Sequence, residues 1–188
     1  MVADEGAADP DAAGDVALAV AWSVAPGVGG SISGEALVTV VPLSFWGGFD
    51  PASGLVIDEH HPLCGAALAG RVLVMPSGRG SCSASGVLLE SICLGTAPAA
   101  ILTRRPDPIL VLGAVLAEEL HELTMPVGTL AGEDAAHAAL AGRMVTLTAA
   151  GVTVRAGAAT PVGVGGIASG AVTLPGRADH GPGPPEWR

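Results

Sequence analysis

The segment Gly78-Arg79-Gly80-Ser81-Cys82-Ser83 gathers hydroxyls, a thiol, a guanidinium and two glycines within six residues. It follows the apolar run Val72-Leu73-Val74 and precedes Ala84, Val87, Leu88 and Ile92, which recur at helical spacing. A glycine-rich turn from strand to helix lets the backbone bend sharply and exposes N–H groups. The helix start carries partial positive charge and favours an anion, either a bound carboxylate or phosphate or a serine alkoxide. Arg79 would add a planar, permanently charged fork for the same anion.

Ser81 in this setting is a candidate general base, and magnitudes limit how far the local sequence can make it one. A helix terminus contributes roughly 0.3–1 kcal/mol, up to about 2 in favourable geometry, and one pKa unit is about 1.4 kcal/mol. The helix end therefore moves a serine by about one unit. That is far too little for an alcohol to act as a base near neutrality, so further positive charge must come from elsewhere. The commoner role of such a turn is helix capping, with Ser81 or Ser83 bonding the first N–H groups. The Lys-Ser/Thr ending of a nucleotide-phosphate loop is missing.

Other chemistry-bearing residues are less convergent. His60 and His61 precede Pro62 in an expected loop with no third ligand nearby, which favours surface or loop-packing roles over metal binding. Glu118, Glu119, His121 and Glu122 read as a solvated helix end. Cys82 at a helix start could be reactive, but a small buried packing role is expected. Arg104 and Arg105 could border a ligand, with an exposed loop as the simpler reading. Cys64, Cys82 and Cys93 form no CxxC pair, which predicts reduced thiols in a cytoplasmic protein and no iron–sulfur or zinc site made by this chain alone.

The elements that must hold the glycine-serine turn follow from apolar runs and their punctuation. Strands are predicted at Val16 to Val24, Glu35 to Val41, Leu55 to Ile57, Arg71 to Met75, Ala99 to Leu102, Val127 to Leu130 and within Met144 to Val154. Helices are predicted over Cys82 to Leu94, stopped by Gly95, and over Pro108 to Leu120. Pro26 to Gly34 reads as a loop, and the segment from Leu43 to Pro51 as a folded loop packed by Phe45 and Phe49. Strand, helix, strand, helix, strand at these lengths is an α/β pattern with parallel pairings and a β-rich flank. Residues 1–14 are expected to be a disordered acidic tail, 15–157 the folded domain and 158–188 a Gly/Pro-rich extension.

The net charge of −10 and the scattered arginines offer no basic face for nucleic acid. No apolar run reaches the roughly 18 residues of a membrane span. The acidic start does not read as a signal peptide.

Three pieces together resemble the aconitase X swivel domain: Pro42-Leu43-Ser44-Phe45-Trp46-Gly47-Gly48-Phe49-Asp50-Pro51, His61-Pro62-Leu63-Cys64-Gly65, and Val74 through Ser83. Gly95-Thr96-Ala97-Pro98-Ala99-Ala100 continues the match, so the resemblance runs from about Gly34 to Leu130. It implies a swivelling β/β/α domain, present as a small subunit or fused to a large part that carries an iron–sulfur cluster. It further implies a hydro-lyase acting on a small hydroxy acid, with Ser81 as the proton acceptor. Arg79 would be a substrate-anion or serine-activating residue, with Gly80, Cys82 and Ser83 beside the substrate. Cis-3-hydroxy-L-proline is the favoured substrate. Phosphomevalonate, or a non-catalytic anion-binding module, is the alternative.

Overall fold

The computed structural model describes residues 16–27, 29–132 and 134–154. The expected tail of residues 1–14 and the extension of residues 158–188 lie outside them. Strands β3 (Ile32–Val38), β6 (Val72–Met75), β7 (Ala100–Thr103) and β8 (Val127–Leu130) are mutually parallel neighbours. Helix α2 (Ala84–Leu94) links β6 to β7, and α3 (Pro108–His121) links β7 to β8. All four residues of β6 and of β7 are buried. Their unbroken apolar runs are explained by cover on both faces of the sheet.

One face carries Leu73, Met75 and Ile101, packed with Leu88 and Ala84 of α2 and Leu110 and Ala114 of α3. The other carries Val72, Val74, Ala100 and Leu102, facing Val145, Leu147, Val152 and Val154. The latter come from the hairpin of β9 (Met144–Thr148) and β10 (Gly151–Val154). This hairpin reaches the parallel strands through β3, whose first half pairs antiparallel with β9 and whose second half pairs parallel with β6.

The predicted strand from Val16 to Val24 is divided at Ala19 into β1 (Val16–Leu18) and β2 (Val20–Val24). β1 pairs with β10 and β2 with β8, so one stretch of chain touches both ends of the strand order and nearly closes the sheet. The fold is thus the expected mixed α/β arrangement with parallel strand-helix-strand units.

Several boundaries need correction. β3 begins at Ile32, inside the predicted loop, and ends at Val38 rather than Val41. Gly34 looked like turn chemistry, but it is a strand glycine: a Cβ there would lie 2.7 Å from the Gly70 carbonyl oxygen. At the other end, the Thr39 hydroxyl accepts from Val41 N–H and donates to the Val41 carbonyl, turning the chain out of the sheet. The folded loop contains a distorted turn, α1 (Phe45–Gly48), with Trp46 and Gly47 outside helical geometry. A small hairpin, β4 (Phe49–Asp50) with β5 (Leu55–Val56), follows. Phe45 and Phe49 are buried with ring centroids 5.2 Å apart. A short helix, α4 (Asp134–Ala138), had no counterpart in the sequence reading.

Candidate functional site

The C-terminal ends of β3, β6 and β7 lie at one edge of the sheet, where open α/β folds place their ligands. There the chain after β6 runs through Gly78, Arg79, Gly80 and Ser81 and lines an open cleft of about 190 Å³ with Leu43, Phe45, Asp107 and Leu110. Ser81 is half-buried in this wall, neither sealed in the core nor fully free. Its Oγ lies 3.2 Å from the Ser83 Oγ and accepts from the Ser83 N–H at 3.2 Å.

Helix α2 starts two residues later than predicted, at Ala84, and its N-cap Ser83 makes no side-chain capping bond. The carbonyls of Ser81, Cys82 and Ser83 accept from the N–H groups of Ala84, Ser85, Gly86 and Val87. Ser83 therefore makes no side-chain cap, whereas Ser81 Oγ takes the N–H of Ser83, itself already in helical geometry, so Ser81 does make the capping-type bond the sequence allowed. Among the described residues, the N–H groups of Gly80, Ser81 and Cys82 meet no protein acceptor.

Glycine is required twice in this loop. A Cβ at Gly78 would lie 2.6 Å from Asp107 Oδ2, and Gly80 has φ +105° with Ser44 Oγ 2.8 Å from its would-be Cβ. Arg79 lies on the cleft wall with polar atoms bonded to the protein. Its backbone N–H donates to the Leu43 carbonyl at 3.1 Å, its Nε to the Pro42 carbonyl at 3.1 Å and its Nη2 to Asp58 Oδ2 at 2.5 Å.

Asp107 was not singled out from sequence. Its Oδ1 accepts from the N–H groups of Ile109 and Leu110, capping α3, while Oδ2 accepts from Gly78 N–H at 2.9 Å. One carboxylate thereby ties the serine loop to the next helix. An Asp directly before Pro108 at a helix start was the available signal for the cap. Nothing local in the sequence announced the bond to Gly78.

Cys82 is exposed, so the expected buried packing role is wrong. Two residues before a helix, its side chain falls on the solvent side of the turn. His61 is buried, with Nε2 3.1 Å from the Val41 carbonyl and Nδ1 accepting from Leu63 N–H, while His60 is exposed. These are the loop-packing and surface roles expected. Glu118, Glu119, His121 and Glu122 are exposed at the end of α3, and Arg104 and Arg105 are exposed after β7.

Over residues 21–156 the sequence matches the family model described as the aconitase X swivel domain. The chain belongs to that family. A solved aconitase X from Thermococcus kodakaraensis superposes with a TM-score of 0.61 at 29% identity, covering 74% of this chain and 97% of that one. The cis-3-hydroxy-L-proline dehydratase of Pseudomonas aeruginosa is 59% identical over 103 residues. That alignment covers 55% of this swivel-family chain and 18% of the Pseudomonas protein. The phosphomevalonate dehydratase small subunit of Methanopyrus kandleri is 53% identical over 87 residues, covering 46% of this chain and 64% of that subunit. The chain therefore spans about a fifth of the first relative and under two thirds of the second.

An iron–sulfur cluster needs several converging thiolates. Among the described residues of this swivel domain, no group of three or more His, Cys, Asp or Glu is placed to hold a metal. The donor set of the described residues does not fit a cluster. No helix among the described residues is long and apolar enough to cross a membrane.

Proposed function

We propose that this chain is the small component of an aconitase-X-type hydro-lyase and supplies Ser81 as proton acceptor to a site completed by a larger partner. The observation that carries the reading is the half-exposed Ser81 hydroxyl in an open cleft at the sheet's C-terminal edge, in a chain of this family. In the reaction, Ser81 Oγ takes the proton from the carbon next to the one bearing the hydroxyl. The C–H electron pair becomes the new π bond, and the C–O bond breaks with its electron pair on oxygen. The hydroxide so released becomes water by taking up a proton, which returns Ser81 to its starting state if Ser81 is the donor. Lewis acidity toward that hydroxyl belongs to an iron–sulfur cluster expected on the larger subunit.

The local geometry supports part of this task. The Ser83 N–H and the Ser83 hydroxyl both reach Ser81 Oγ, so both can donate to it when it carries negative charge. The unsatisfied N–H groups of Gly80, Ser81 and Cys82 add donors along the same bend for a substrate carboxylate. The remaining activation of the serine must come from the partner, since a helix end moves its pKa by only about one unit.

Identity of 59% over 103 residues against 53% over 87 supports cis-3-hydroxy-L-proline over phosphomevalonate as the substrate. The free Cys64, Cys82 and Cys93 thiols support a reducing, cytoplasmic setting. The test is co-expression with a large aconitase X subunit and a turnover assay on the purified complex. Ser81→Ala should lower turnover about a hundredfold or more while the complex persists. Wild-type-like turnover would remove Ser81 from the mechanism.

A further inference from the structure

Three successive carbonyls on the segment leaving β3 are each taken by a group from a distant part of the chain or the start of the serine loop. The Val41 carbonyl faces His61 Nε2, the Pro42 carbonyl accepts from Arg79 Nε, and the Leu43 carbonyl accepts from Arg79 N–H. The far end of the Arg79 guanidinium meets Asp58, whose side chain is 16% exposed against 52% for the arginine. Asp58 is itself fixed on every side. Its Oδ1 accepts from His60 N–H, its carbonyl from His61 N–H, and its N–H donates to the Gly48 carbonyl. A Cβ on Gly48 would lie 3.4 Å from the Asp58 Cβ, so the two segments are in van der Waals contact.

We propose that Asp58 and Arg79 form a latch that positions Ser81, and that Arg79 acts through this latch rather than by binding the substrate anion. The proposal deepens the reading of Ser81 as base and rests on it for its effect on turnover. The reasoning is geometric. Arg79 uses two different nitrogens at once, one on a backbone carbonyl and one on a carboxylate, as a planar fork permits and an ammonium does not. With those bonds in place, Gly80 holds φ +105° beside Ser44, with no room for a Cβ, and Ser81 follows as the next residue on the cleft wall. Without them the bend keeps its backbone ties, at Gly78 to Asp107, between Arg79 N–H and Leu43, and from Ser81 to the start of α2, but loses the side-chain bonds that fix residues 79 and 80 against Pro42 and Asp58. Asp58 lines neither this cleft nor the others at the sheet edge, so it is a positioning residue and not a catalytic one.

The experiment compares Asp58→Ala, Arg79→Ala, Arg79→Lys and the Asp58→Ala/Arg79→Ala pair. Backbone hydrogen exchange is measured in the full chain at the hydrogen-bonded amides of the loop, Gly78, Arg79 (or the residue replacing it) and Ser83, and kcat and KM are measured in the complex with the large subunit. The latch predicts that each single alanine variant raises exchange at these protected amides and that both variants lower kcat by a similar factor, on the scale of about a hundredfold that misplacing a reacting group can cost. KM should change little, the double variant should be no worse than either single one, and Arg79→Lys should not rescue. Normal exchange in Asp58→Ala overturns the latch whatever happens to turnover. So does an Arg79→Ala defect confined to KM with Asp58→Ala at wild-type kcat, the pattern of a substrate-binding arginine. If Ser81→Ala turns over normally while the exchange result holds, the Ser81 reading fails and the latch stands as a feature of the loop.

Discussion

The two halves of the sheet are built from similar strands but are finished differently. The half formed by β1, β9 and β10 joins β9 to β10 by a two-residue turn, takes β1 from the far end of the described chain, and contributes apolar residues such as Val145, Leu147, Val152 and Val154 to a buried cluster. The parallel half ends in long connections whose polar side chains bond distant backbone: Asp107 to Gly78, Arg79 to Pro42, and Thr96 to the Pro51 carbonyl. Packing stabilises the first half. In the second, packing fixes the strands and directional bonds then aim the loops. A region of this kind can lose its function at small cost in stability, whereas the closed half cannot be damaged without threatening the whole fold.

The sharpest way to break that contrast is to cut into the closed half. Leu147→Ala removes a fully buried side chain on β9 and should cost about 2–5 kcal/mol in denaturant unfolding, while turnover per folded molecule stays unchanged. Asp107→Ala should show the opposite signature. Losing the α3 cap costs about 0.5–2 kcal/mol, yet turnover should fall well beyond what Leu147→Ala produces, because Gly78 is released. Asp107→Asn sharpens the point. Asn still caps α3, so stability should stay near wild type, but it cannot offer an oxygen to both the helix and Gly78.

The smallest effect is expected at Asp50, in the β4–β5 hairpin. The Ser53 hydroxyl, followed by the Ala52 N–H, holds its carboxyl below the usual value. A lowered folded-state pKa stabilises above the unfolded value and loses that contribution as pH falls through the folded one. Asp50→Asn should therefore lower the urea midpoint slightly at pH 7 and leave it unchanged in strong acid. An equal loss at both pH values would mean that the charge is irrelevant there.

Much of the scaffold could be read from residue order because its signals are local. The spacing of Ala84, Val87, Leu88 and Ile92 with Gly95 behind them predicted α2 to within two residues, and Gly95 does end it at φ 72°. The unpunctuated Val72-Leu73-Val74 run predicted a short strand, and the glycine-serine turn was placed correctly between it and α2. The failures share one cause, dependence on a distant partner. Gly34 belongs in a strand because the Gly70 carbonyl passes close by, and the Arg79 side chain, though on the cleft wall, is bonded to Asp58 and the Pro42 carbonyl, partners 21 and 37 residues away. The type and neighbourhood of a residue showed where chemistry was available. They did not show which of its atoms were already committed.

The division of the first strand at Ala19 bears on how the protein assembles. Val16 registers with Val154 while Val20 registers with Leu130, so the opening strand has no partner until the final hairpin exists. Pairings this remote in sequence are slow to form, because loop closure must precede any reward. On a ribosome the units from β6 to β8 can collapse early and take up β2, leaving β1 unpaired until β10 has been made. Such a segment, rich in Val and Ala, is an open strand edge of the kind that aggregates or swaps between copies.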